Sequence, residues 1–172
     1  MNKGQPNTTF ERSAGSFARR GRSTWAFGSK GVRERRSVRE HRQPLECVAA
    51  LVLKEATVLA EERKPTKRVV PGAVALPGGH VEPGESAEAA LRRELKEELG
   101  IAPLEVRYVC TLLHRAQEFR KLHYFAVEGW RGEILNQEAE ALLWVPLDEP
   151  TALEIDVDRT AVGEYIRLAG SG

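Results

Sequence analysis

The segment "LPGGHVEPGESAEAALRRELKEELGI", Leu76 to Ile101, constrains this chain more than any other, because it joins a glycine-rich loop to a short helix crowded with like charges. Pro77, Gly78, Gly79, Pro83 and Gly84 punctuate the loop. Ser86 reads as an N-cap, Glu88 falls in the first turn and Gly100 supplies a left-handed stop, so a helix is expected between them. Leu91, Leu95 and Leu99 recur at every fourth position and turn one side of it to a core. Glu94, Glu97 and Glu98 then share another face, where each close pair of acids costs roughly a few tenths of a kcal/mol. In an isolated helix Arg92, Arg93 and Lys96 would simply neutralise them. Beside a loop whose glycines let the backbone approach closely, the cluster suits a hard divalent cation, Mg2+ or Mn2+, which takes carboxylate, carbonyl and water oxygens.

The spacing is specific. Gly79, five residues, Glu85, seven residues, then Arg93-Glu94-Leu95-Lys96-Glu97-Glu98-Leu99-Gly100-Ile101 resembles, at every constrained position, the box of the Nudix hydrolases. A weaker resemblance runs from about Cys47 to Leu168. It implies an α/β/α sandwich built on a mixed β-sheet, and hydrolysis of the diphosphate linkage of a nucleoside diphosphate derivative. It also implies that Glu94, Glu97, Glu98 and the Gly79 carbonyl hold the metal, while Glu85 and Arg93 brace loop against helix. "WRGEILNQEAEALLW", Trp130 to Trp144, is similar to the matching stretch of MutT-type nucleotide hydrolases, in which a loop glutamate approaches the metal. That position falls on Glu138, with Glu140 in reserve, and the general base is Glu94 or Glu138. On the substrate side, Gly78 and Gly79 flank the phosphates and Arg63 matches a phosphate- or sugar-contacting arginine. His80 stands where lysine is common, and Asp158 lies near the position that reads the purine edge, although a helix-cap role also accounts for it.

Composition divides the chain. Residues 1–44 hold eleven Lys/Arg against three Glu, a net +8, whereas the remainder carries −7, giving the near-neutral +1 overall. The first segment is rich in Arg, Ser and Gly and poor in aliphatic residues, so it is expected to be a disordered basic arm preceding a hydrolase domain over 45–172. Trp25 and Phe27 within it would suit stacking on nucleic acid, though a solvated tail is the plainer reading. Cys47 and Cys110 lack metal or redox spacing and read as reduced thiols in a cytoplasmic protein. There is no apolar run of membrane-spanning quality, and the expected state is a monomer or homodimer.

Along the domain, 46–54, 56–63, 69–77, 104–114, 121–130 and 141–147 read as strands, and a terminal helix opens at the candidate cap Asp158. The motifs that mark ADP-ribose, dinucleoside polyphosphate, NADH and coenzyme A hydrolases are missing after or before the box. What remains resembles the MutT group, which cleaves nucleoside triphosphates, oxidised ones such as 8-oxo-dGTP included, to monophosphate and pyrophosphate. Three alternatives stay open: a hydrolase of RNA 5′ ends using the basic arm, an ADP-ribose-type hydrolase, and a nucleotide-sensing module without activity.

Overall fold

The computed structural model describes residues 43–115 and 117–171. The expected basic arm therefore lies outside the described residues, except for Gln43 and Pro44. Six strands and two helices follow in the order β1 (Leu45–Lys54), β2 (Thr57–Glu62), β3 (Val74–Ala75), α1 (Ala87–Leu99), β4 (Ala102–Arg115), β5 (Phe119–Arg131), β6 (Ala141–Pro146) and α2 (Asp156–Ala169).

The sheet is mixed. Its order is β3-β2-β1-β5-β4, with β6 paired to β2; β1 and β5 run parallel from Leu45 opposite Arg120 to Val52 opposite Val127, and the other pairings are antiparallel. Strand β1 is apolar on both faces, and its alternation assigns each side to a different helix. Ala49, Leu51 and Leu53 pack with Tyr124, Ala126, Ala161 and Val162 on the α2 side, while Val48, Ala50 and Val52 pack with Phe125, Val127, Leu91, Leu95 and Leu99 on the α1 side. The result is the three-layer α/β/α sandwich expected from the sequence.

Helix α1 begins and ends where its residues dictate. Ser86 Oγ accepts from the Ala89 N–H at 3.2 Å, and Gly100, at φ 72°, closes the helix by donating to the carbonyls of Leu95 and Lys96.

Two local expectations are corrected. The apolar run 69–77 is not a continuous strand: only Val74 and Ala75 pair with β2, because Val70 (φ 46°) and Gly72 (φ 75°) adopt left-handed turns around Pro71. Asp158 is not a cap either. Helix α2 starts at Asp156 after Ile155, with no side-chain cap, and Asp158 sits inside the first turn with its carboxylate directed into the protein.

Candidate active site

The glycine loop is stitched along β1 where β2 diverges from it. Ala50 N–H donates to the Pro77 carbonyl, Val48 N–H to the Gly79 carbonyl and Val81 N–H to the Glu46 carbonyl, each at 2.9 Å. This close approach explains both glycines. A Cβ on Gly78, whose φ is 150°, would stand 2.2 Å from the Val48 carbonyl oxygen, and one on Gly79 would stand 2.3 to 2.6 Å from the carboxylate of Glu94. The loop is thus packed directly on the acidic face of α1. Its contact with Glu98 is a hydrogen bond from Gly78 N–H to Oε2 at 3.0 Å.

A polar cleft of about 320 Å³ opens there, lined by Arg63, Lys67, Gly78, Gly79, His80, Glu82, Arg93, Glu94, Glu98 and Glu138. Its acids are Glu82, Glu94, Glu98 and Glu138. Helix α1 supplies Glu94 and Glu98 one turn apart. The β5–β6 loop supplies Glu138, and it is held in place because Leu135 N–H and Gln137 N–H donate to the carbonyls of Leu99 and Glu98, and Glu140 N–H to that of Glu62. Strand β2 places Glu61, which the sequence reading passed over, beside Glu98 but outside the cleft's lining. It is buried, and it shares the α1-facing side of β2 with Leu59.

Electrostatically the cleft holds more buried negative charge than its cations balance. Burial pushes the Glu98 carboxyl far above the usual carboxylate range, and the neighbouring Glu61, Glu94 and Glu138 push it further, against the opposing Gly78 N–H. Glu61 is likewise raised, by burial first, with Arg63 and Lys67 opposing. Glu138 is lowered, chiefly by its hydrogen bond from Lys67. Such a set of hard, mutually repelling oxygens matches the donor preference of a divalent cation. Among the described residues, however, no three His, Cys, Asp or Glu side chains converge on one point. Glu94 and Glu97 turn to Arg93 (2.8 and 3.2 Å) and Glu138 to Lys67. To take up an ion together, these side chains would have to leave their present partners.

Arg93 organises the loop and helix. It donates to both oxygens of Glu85 (3.2 and 3.1 Å), to the His80 carbonyl (2.9 Å) and to Glu94, and Glu85 in turn accepts from Glu82 N–H. Its guanidinium is held charged principally by Glu85, which is itself lowered. Glu85 lies behind the cleft, and Glu97, 59% exposed at its side chain, faces away from it. The Gly79 carbonyl already accepts from Val48, which leaves its second lone pair for a cation. Arg63 binds Glu61 at 3.1 Å and the Val69 carbonyl at 3.2 Å, at the neck of the loop that carries Lys67. The exposed His80 sits on the rim.

Beside the cleft, and sharing Arg63, Gly78 and Gly79 with it, lies a more apolar slot lined by Cys47, Ala49, Val70, Leu76, Leu122, Ile155, Arg120 and Asp158. Asp158 is fully buried here. Its carboxylate accepts from the Leu76 N–H (3.0 Å) and the Tyr124 hydroxyl (2.7 Å), and burial raises its pKa to about 6 despite these donors. Of the expected substrate contacts, Arg63, Gly78 and Gly79 border both cavities, His80 borders the cleft and Asp158 the slot.

Comparison with known proteins agrees with this geometry. The profile of the NUDIX domain matches residues 44–163. Over 108 residues the chain is 34% identical to the CTP pyrophosphohydrolase of Escherichia coli K12, covering 61% of this chain and 78% of that protein. Over 136 residues it is 33% identical to the nucleoside triphosphatase NudI of Salmonella arizonae, covering 72% and 94%. The crystal structure of a MutT NUDIX hydrolase from Burkholderia pseudomallei superposes with a TM-score of 0.64 at 29% identity, covering 71% of this chain and 98% of that one.

Proposed function

Because the chain belongs to the NUDIX family of hydrolases, we propose that it is a divalent-cation-dependent nucleoside triphosphate pyrophosphohydrolase, using Mg2+ and accepting (d)NTPs, oxidised forms such as 8-oxo-dGTP included. The observation that carries this reading is the gathering of Glu94, Glu98 and Glu138 in a polar cleft that opens onto an apolar slot, with the buried Glu61 close enough to act on Glu98. Phosphates need the first and a base the second. The names of the two relatives, both acting on nucleoside triphosphates, support it.

The residues to hold Mg2+ are Glu98, Glu94, Glu138 and the Gly79 carbonyl, with Glu97 joining them only by leaving Arg93 and turning inward, and Glu61 supporting from β2. Once bound, the ion supplies Lewis acidity toward phosphate oxygens. The chain's own groups do the rest. Arg63 and Lys67 face the phosphates with positive charge, and Lys67 is released to do so when Glu138 turns inward. Arg93, fixed by Glu85, restrains Glu94. Glu138 or Glu94 takes a proton from the attacking water. Water adds to phosphorus, the P–O bond of the anhydride breaks, and monophosphate and pyrophosphate leave without a covalent enzyme intermediate.

A substrate panel tests this reading. With Mg2+, CTP, dGTP and 8-oxo-dGTP are expected to be turned over at least about tenfold faster than ADP-ribose, diadenosine polyphosphates or 5′-triphosphorylated RNA. A clear preference for the RNA would assign the protein to 5′-end hydrolysis, and nucleotide binding without turnover would make it a sensing module.

A further inference from the structure

The apolar slot contains one feature that its packing does not explain. Arg120 Nε is the single buried side-chain nitrogen or oxygen, among the described residues, that has no hydrogen-bond partner. The side chain is held rather than loose: Nη2 donates to Glu118 Oε2 at 2.8 Å, and only 18% of it is exposed. Register places it well. Arg120 stands opposite Leu45 at the start of the parallel β1/β5 pairing, on the same α2-facing side as Leu122 and Tyr124, so it borders the slot together with Cys47 and Ala49. Leaving such a donor unmet inside the protein costs about 1–3 kcal/mol, and a buried polar group kept at that cost needs a purpose.

We infer that Arg120 reads the nucleobase, donating to a ring edge that presents adjacent acceptors. Guanine offers O6 beside N7 and is the purine that fits in full; 8-oxoguanine, with a proton on N7, keeps only the O6 acceptor of this pair, and adenine would turn its N6 amino donor toward the guanidinium. Among pyrimidines, O2 beside N3 makes cytosine the matching base and thymine, with its N3–H, the mismatched one. Asp158 is anchored to the fold, its two oxygens accepting from Leu76 and Tyr124, whereas Arg120 keeps a donor with no partner in the protein. The slot's continuity with the cleft through Arg63, Gly78 and Gly79 lets one nucleotide reach both. The inference rests on the nucleotide-hydrolase reading, and the experiment separates the two.

Full-length wild type, Arg120→Met and Arg120→Lys would be compared with dGTP, dATP, dCTP and dTTP, by kcat/KM in Mg2+ and by equilibrium binding of the α,β-methylene analogues. Met keeps the aliphatic bulk, and the conservative Lys keeps a donor, so thermal melts identify any variant that fails to fold. In wild type, guanine over adenine or cytosine over thymine is expected by about tenfold or more, a ratio that collapses in Arg120→Met and partly survives in Arg120→Lys. Base-selective binding lost in Arg120→Met but without hydrolysis would support the slot and reject the hydrolase. Hydrolysis whose base ratio is indifferent to Arg120, or falls equally for every base, would overturn the inference and leave the hydrolase standing. No binding and no turnover would overturn both.

Discussion

Adjacent glycines in the loop should fail in opposite ways when each is replaced by alanine. At Gly78 the new Cβ meets backbone, 2.2 Å from the Val48 carbonyl oxygen and 2.9 Å from the Ala49 Cα, at a φ of 150° that other residues avoid. Holding a side chain in such a conformation costs about 1–3 kcal/mol, and overlap with an unyielding neighbour adds about 1–3 kcal/mol more. In a domain of this size each kcal/mol lowers Tm by roughly 3–5 °C, so Gly78→Ala should melt about 6–30 °C early. At Gly79 the three atoms nearest the new Cβ all belong to the carboxylate of Glu94, whose end can rotate away for about 1 kcal/mol. Fold and Tm should survive there, within about 5 °C. The carboxylate itself must move by about 1 Å or more to restore ordinary contact, and a displacement of that size at a reacting centre costs on the order of a hundredfold in rate. The assay pairs thermal melts with kcat/KM on dGTP in Mg2+. A Gly79→Ala protein that keeps full activity, or that melts as early as Gly78→Ala, would refute the argument that this glycine exists to admit Glu94.

The remaining predictions concern charge. Glu98→Gln replaces a buried carboxyl whose ionisation is opposed by burial, Glu61, Glu94 and Glu138; Tm should hold or rise while turnover falls at least about a hundredfold, and a variant with near-normal rate would exclude Glu98 from the site. Asp158 has a native pKa raised to about 6 against about 4 unfolded, so its contribution is fully present below pH 4 and lost as pH rises through 6. Relative to Asp158→Asn, wild type should therefore lose about 3 kcal/mol between pH 4 and 7 in denaturant titrations, and a constant difference would show that the carboxylate stays ionised throughout. Lys67→Met should raise KM more than it lowers kcat, since Lys67 is assigned to phosphate binding; a pure loss of kcat would place it in the chemistry instead.

How much of this was legible depended on whether local or distant residues decide the outcome. Helix α1 was readable because Ser86, Gly100 and the three leucines are local instructions, and the sandwich followed from apolar strands flanking it. The run 69–77 misled because its valines look like a strand, while Pro71 and Gly72 bend it into a turn that borders the apolar slot through Val70. Glu61 was missed for a different reason. In "TVLAEE" it reads as the polar end of a strand, yet it follows three buried residues and shares a face with Leu59, a signal that places a charge inside the protein. Lys67 was hidden among Lys64 and Arg68, indistinguishable from solvated neighbours until the β5–β6 loop brought Glu138 across to it. Asp158 carried the right residue type for a cap, and only the fold shows its oxygens committed to Leu76 and Tyr124.

The central claim is tested most directly by the products formed from dGTP or CTP in 18O-labelled water, with Mg2+ and then with chelator in excess. Nucleoside monophosphate and pyrophosphate are predicted in the first case, with one 18O incorporated, and no reaction in the second until Mg2+ is restored. Release of nucleoside diphosphate and inorganic phosphate, or turnover that survives chelation, would contradict the account.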